Sequence, residues 1–281
     1  MEIVQVATGL ISIPPNGWGA VERIIWEYHT NLLKLGVKSS IQQWNEVEKK
    51  DNQLVHCHMA NTALDMLEKG IPYIYSLHDH HAEWYGKNSG VYANNLAAIK
   101  GSVFSICHSK HVVDYFDETD KLFFLTHGVN TDFFTYREHK GEHSLLMIAN
   151  NGIAGDSTID RKGFRYAIEA AKQLDLPITI AGPENNHSFF DGHSDLIMYD
   201  KLKLRCNNPT DDETLELYHT HSVFMAPSML EYGHPNLSLL EAVSCGLPIV
   251  GTCNNAPVGM LTCKLSTEDV LKNLKIGRAH V

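Results

Sequence analysis

No stretch of this sequence stays apolar for the roughly 20 residues that a membrane-spanning helix needs. No leader peptide opens it either, because MEIVQVATG runs straight into a strand pattern. A soluble, cytoplasmic protein without integral membrane contact is expected. Basic charge is scarce: Lys+Arg number 23 against 33 Asp+Glu, for a net charge of −10. Neither half is basic, so bulk electrostatics do not advertise nucleic acid or an anionic membrane, although local clusters stay open. Cysteine is thin and scattered, at positions 57, 107, 206, 245, 253 and 263, which suits reduced, buried thiols. Internal repeats and low-complexity tracts are absent.

What the chain does have is 43% hydrophobic residues over 281 positions, enough to bury two modest cores. Short apolar runs alternate with helical periodicity. IVQVAT, SSIQQW, QLVHCH, PYIYSLHD, SVFSICHS and KLFFLTHGV read as strands, with helices over 20–35, 61–69, 92–100 and 111–116 between them. Near Lys140 the pattern restarts with HSLLMIAN, a helix over 164–174, PITIAGPE, the short strands IMY and KLKL, and a helix over 211–219 capped by Thr210. VFMAPS, a loop, a helix through LLEAV, PIVGT, LTCKL and a helix opening at Ser266 complete the second half. Repeated β–α units predict α/β architecture: doubly wound parallel sheets with ligands at the strands' carboxyl ends.

Three places in this pattern suit chemistry. Gly17 and Gly19, in PPNGWGAVER, sit where the first strand hands over to a helix, a place for close approach to phosphate or sugar or merely for a tight turn. Asp160–Gly163, DRKG, places Arg161 and Lys162 at a helix N-terminus, where cations do not help the helix. They grip an anion there or form a solvated basic patch. From Phe224 to Thr252 the chain reads strand, loop, helix, strand, with Asn236 or Ser238 as N-cap. Its helix tip offers free amides to phosphate, Glu241 could accept a ribose diol, and Gly233 lets backbone approach a ligand. An ordinary β–α–β crossover with a surface glutamate is the plain alternative.

This last stretch resembles the nucleotide-sugar signature of retaining family-4 glycosyltransferases (glycosyltransferase group 1). GWGAVER resembles that family's first glycine loop, and THGVNTDFF (126–134) its interdomain segment. The resemblance implies the GT-B fold, two Rossmann-like domains with parallel sheets facing across a cleft: an acceptor-side domain over 1–135 and a nucleotide-sugar domain over 141–275. It implies that Glu231 lies near the donor sugar and that Glu241 binds ribose. The amides of Asn236, Leu237 and Ser238 would hold the diphosphate, with Gly17, Gly19, Arg161 and Gly233 also on the donor. Lys162 matches the family's diphosphate lysine and His78 its sugar-side histidine, with Asp79 and His80 near the acceptor. Two departures stand out: Glu231 and Glu241 are spaced wider than the usual pair, and Asn150–Asn151 replace the loop arginine, with Arg161 or Arg165 as substitutes.

His78, Lys162 and Glu231 are therefore the expected catalytic residues. A lone histidine at a strand end is also a common structural residue. HCH (56–58) and HDHH (78–81) invite a zinc reading, but side chains alternate across a strand, so neither run closes a tetrahedral site. No D-x-D pair stands where a cation would bridge the diphosphate, so metal independence is expected, with Lys162 and the helix amides carrying the charge. No cofactor is required, and a UDP- or GDP-sugar is the co-substrate. A retaining front-face attack, with the diphosphate taking the acceptor's proton, follows from the resemblance.

The default acceptor is a glycan or small-molecule hydroxyl. A compact gene also fits a virus, and some viral enzymes of this fold glycosylate 5-hydroxymethylpyrimidines in DNA. A groove around Lys100, Lys110 and Lys121 would serve that reading. An epimerase of the same fold and an inactive sugar-binding remnant are the remaining alternatives. The tail Ile276–Val281 resembles a translated sequencing adapter and is set aside as non-native, with C-terminal truncation expected.

Overall fold

The computed structural model describes residues 1–78, 81–138, 143–151, 159–229, 236–252 and 260–278, with 276–278 described by backbone alone. The chain divides after Thr126 into two units, each with its own core.

In the first unit the elements run β1 (Glu2–Ala7), α1 (Ala20–Lys34), β2 (Lys38–Gln43), β3 (Gln53–Cys57), α2 (Ala60–Glu68) and β4 (Tyr73–Leu77). Then come α3 (His81–Tyr85), α4 (Gly90–Gly101), β5 (Ser105–Cys107), α5 (Lys110–Tyr115) and β6 (Leu122–Phe124). The six strands form one parallel sheet in the order β2-β1-β3-β4-β5-β6. β4 is buried at all five positions, as a central strand covered on both faces must be. Val4, Val55, Met66, Ile99 and Phe116 join the sheet to its helices.

The second unit runs β7 (Leu145–Ile148), α6 (Phe164–Leu174), β8 (Ile178–Gly182), α7 (His187–Asp191), α8 (Ser194–Ile197), β9 (Leu202–Cys206) and α9 (Asp211–Thr220). It continues with β10 (Val223–Ala226), α10 (Leu237–Ser244), β11 (Ile249–Gly251), β12 (Met260–Thr262) and α11 (Thr267–Arg278). Its parallel sheet has the order β12-β11-β10-β7-β8-β9. Strand order reverses between β7 and β10, and ligands of such sheets bind outside the carboxyl ends at that point.

Helix capping explains several boundaries. Thr210 and Glu213 form a reciprocal capping box on α9. Asn236, rather than Ser238, caps α10, accepting from Leu239 N at 2.9 Å. One expectation needs correction, and three short helices lie outside the sequence pattern. IMY is not a strand: Ile197 ends α8, and Tyr199 turns inward so that its hydroxyl donates to Leu176 O at 2.7 Å. The helices α3, α7 and α8 are too short to show a period of 3.6. Helix α11 runs from Thr267 to Arg278.

The segment 133–136 belongs to the second unit. Phe134 is buried against Tyr218, its carbonyl accepts from the Ser244 hydroxyl, and Arg137 N donates to Cys245 O at 3.4 Å. Gly246 has φ +88, and a Cβ there would lie 2.4 Å from the Tyr136 ring, so this strap lies directly on the carboxyl end of α10.

Candidate functional site

The loops leaving β7 and β10, the two strands at the reversal, are tied together. Ser228 Oγ and Met229 N both donate to Arg161 O, at 3.2 and 2.8 Å, and Ser238 Oγ donates to Ile148 O at 3.2 Å. Asn151, 1% exposed, organises the first loop. Its amide nitrogen donates to Ile159 O at 2.9 Å and its Oδ1 accepts from Lys162 N at 3.2 Å. Its carbonyl accepts from the Arg161 guanidinium at 2.8 and 3.2 Å. The residue that replaces the expected loop arginine is thus the hub of this turn, which residue type alone could not announce.

Arg161 braces that turn. Arg165 pairs with Asp195 at 3.0 Å, a contact that holds the Asp195 carboxyl below its usual range. Asp160 accepts from Phe164 N and Arg165 N, both at 2.8 Å, so a carboxylate caps α6 and offsets the flanking cations. Burial pushes its carboxyl up, against the pull of those amides. Gly163 has φ +78, and a Cβ there would fall 2.0 Å from Pro227 O. Only glycine lets the Lys162 turn press against the exit of β10.

On α10 the tip amides follow the Asn236 cap, and Glu241 lies one turn in, 8% exposed. The Tyr218 hydroxyl stands 2.8 Å from Glu241 Oε2 and 3.0 Å from Ser238 O, fixing that carboxylate to the helix tip. The structure thus gathers Arg161, Lys162, Asn236, Leu237, Ser238 and Glu241 at one end of one sheet. Glu231 and Gly233, and Asp79 and His80 in the first unit, lie outside the described residues.

In the first unit Gly17 and Gly19 follow β1. Arg23 donates to Gly17 O at 2.7 Å, and Thr8 donates to Glu22, so α1 fastens its own leading loop. His78 follows β4 in a row of imidazoles at the strands' carboxyl ends. His58 Nδ1 is 2.9 Å from His78 Nε2, and His58 Nε2 is 2.9 Å from Gln5 Oε1. His56 Nε2 meets Ser76 Oγ at 2.8 Å, and His108 Nδ1 meets Leu125 O at 2.7 Å. Burial, then the neighbouring His108, lowers the His56 pKa to about 3, and burial with three histidines lowers that of His58 well below the ordinary value. The row was illegible in sequence because its members come from three different strands.

The expected basic groove is compensated. Lys110 pairs with Asp114 at 2.6 Å and Lys100 with Glu118 at 3.9 Å, while Lys121 Nζ donates to the carbonyls of Lys100 and Ser102. Cys57, Cys107, Cys206, Cys245 and Cys263 are buried, and burial pushes the Cys57, Cys245 and Cys263 thiols up to about 12. No described helix is long and apolar enough to cross a membrane.

Comparison with solved structures gives the architecture a name. A glycosyltransferase from Rickettsia africae superposes at TM-score 0.67 and 16% identity, over 99% of this chain and 88% of that one. Anabaena HepE in complex with UDP-glucose gives 0.69 at 13% identity, over 100% and 91%. A UDP-GlcNAc 2-epimerase from Methanocaldococcus jannaschii, with UDP-GlcNAc and UDP, gives 0.59 at 11%, over 98% and 92%. The fold is GT-B. A family model described as "Glycosyl transferases group 1" matches residues 152–264, which lie wholly in the second GT-B unit and include Lys162 and α10. A search of curated protein sequences finds no match. Transferases and an epimerase share this GT-B likeness, so the fold by itself does not choose between them.

Proposed function

We propose that the chain is a retaining glycosyltransferase of family 4, moving a sugar from a nucleoside diphosphate sugar to an acceptor hydroxyl. The observation that carries this reading is the convergence, at the strand-order reversal of the second sheet, of Lys162, the amide tip of α10 and Glu241. A cation and a helix N-terminus suit a diphosphate, and a buried carboxylate one turn in from that tip suits a ribose diol. The family match over the same residues agrees with that assignment. Two structural neighbours are described as complexes with UDP-sugars, which favours a uridine donor with GDP as the other candidate.

In this reading Lys162 and the amides of Asn236, Leu237 and Ser238 stabilise the leaving diphosphate, and Arg161 holds their loop in place. Gly17 and Gly19 let the first loop approach the donor, and Gly233 does the same beside α10. Glu231 and His78 address the transferred sugar. The diphosphate takes the acceptor's proton, and no divalent cation bridges it. A glycan or small molecule is the acceptor, since Lys100, Lys110 and Lys121 are already engaged within the chain, which disfavours hydroxymethylated DNA.

A panel of UDP-, GDP- and ADP-sugars against simple glycans and hydroxymethylated DNA, read by mass shift, tests this. Transfer with one donor class supports the reading. Free or epimerised sugar without transfer would assign the chain to the epimerase class instead. Binding of nucleotide without any turnover would mark a sugar-binding remnant. Lys162→Ala is expected to cut kcat by at least about tenfold while donor KM changes less.

A further inference from the structure

A buried amide oxygen sets the hydrogens along one line of side chains in the first unit. Gln5 is fully buried on β1, between Val4 and Val6, and its Oε1 lies 2.9 Å from His58 Nε2. A carbonyl oxygen can only accept, so His58 Nε2 carries a hydrogen. Burial, then His56, His78 and His108, hold the His58 pKa well below its ordinary value, so the ring is neutral and its Nδ1 keeps the lone pair. That Nδ1 lies 2.9 Å from His78 Nε2, with the ring centroids 5.2 Å apart and the planes 12° from parallel. The two rings thus point nitrogen to nitrogen in line, as a hydrogen bond prefers. One hydrogen fits between nitrogens at that distance, and it sits on His78 Nε2. The line crosses the adjacent strands β1, β3 and β4, from the interior of the sheet to half-buried His78.

We propose that Gln5 and His58 are positioning residues for His78, a relay that fixes the direction of its ring and keeps a hydrogen on its Nε2. Stability alone does not account for Gln5. Its Nε2 is buried with no hydrogen-bond partner among the described residues, and an apolar side chain of similar shape would avoid that cost. The neighbouring His56 shows what a bystander looks like. Its ring centroid lies 4.1 Å from that of His58, yet its Nε2 meets Ser76 Oγ at 2.8 Å and takes no part in the line. With the relay in place, the edge of His78 that faces a ligand is decided before the ligand arrives. Preorganisation of this kind acts on kcat more than on KM. Its bearing on catalysis rests on the sugar contact assigned to His78 above, whereas the relay itself does not.

The test joins imidazole nitrogen-15 spectroscopy of the full chain to kinetics of sugar transfer. In the unliganded parent, His58 and His78 should both be neutral with the hydrogen on Nε2. His58→Leu should let the His78 tautomers interconvert and cut kcat at least about tenfold, with donor KM within about threefold. His58→Asn puts an acceptor, Oδ1, in the place of Nδ1 and should recover most of that loss. Gln5→Met should leave Tm level or raise it and still lower kcat, the reverse of what a purely structural amide would do. His56→Gln should change neither kcat nor the His78 tautomer. A parent His78 with its hydrogen on Nδ1 alone would overturn the proposal, and that spectrum decides even where His58→Leu does not fold. An identical His78 spectrum in the parent and His58→Leu would overturn it too, as would Gln5→Met with a lower Tm and parental kcat. The expected tautomers in a chain that transfers no sugar would support the relay and sink the transferase reading.

Discussion

Single residues carry most of what the second unit does, and the informative ones do so through what surrounds them. Gly163 was legible as part of a motif, but its necessity comes from Pro227 O, 64 positions away in sequence. Gly163→Ala should destabilise the chain by about 2 kcal/mol or more, from positive φ plus a backbone clash, and should raise donor KM; urea midpoints and donor kinetics check both. Tyr218→Phe removes the hydroxyl beside Glu241 and is expected to cost about 1 kcal/mol, again with a higher donor KM. His56 supplies a pH prediction. Its pKa of about 3 in the fold lies below the unfolded value of about 6.5. Below pH of about 6.5 the unfolded chain takes up a proton that the fold refuses. The stability His56 contributes is thus whole at neutral pH and falls by about 1.4 kcal/mol per unit toward pH 3. His56→Gln should flatten that stretch of a stability-versus-pH curve. Nothing local in QLVHCH tells a buried histidine from an exposed one; only the neighbouring strands decide that.

At the scale of elements, sequence reading succeeded where a pattern was long or a cap explicit. Helix α6 matches its expected limits, Phe164–Leu174, because five of its residues form one buried face. Helix α9 follows from Thr210 and Glu213. The reading failed at α7 and α8, whose four or five residues show no period, and at the loops, whose geometry depends on partners such as Asn151. Thr210→Ala is expected to cost about 1 kcal/mol through loss of the capping box, without touching donor kinetics. Asn236→Ala breaks an equally good cap, yet it lies at the proposed diphosphate site. It should therefore also raise donor KM, and comparing the two variants separates a helix-stability effect from a binding effect.

For the whole molecule, the alternation of strands and helices gave away two parallel α/β units, since parallel strands need crossover connections, which are usually helices. The order within each sheet was not readable, because pairing between strands distant in sequence is set by packing and not by local pattern. The division after Thr126, with a separate core on each side, puts Lys162, the α10 tip and Glu241 of the proposed site together in residues 127–281. Expressed alone, that half is expected to fold and to bind UDP or GDP in calorimetry with a Kd within about tenfold of the full chain, while transfer is lost. If Lys162 and the α10 amides carry the diphosphate charge as proposed, turnover of the intact chain should persist when magnesium and manganese are omitted.

The strap at 133–136 gives α10 a second duty. One end of this eight-residue rod is the proposed diphosphate contact, and the other is clasped by Phe134 and Tyr136 about 12 Å away. Anchoring the tip of so short a rod damps its far end as well. Amide exchange along the strap should therefore slow when nucleotide binds, a footprint of occupancy that needs no catalysis to be seen.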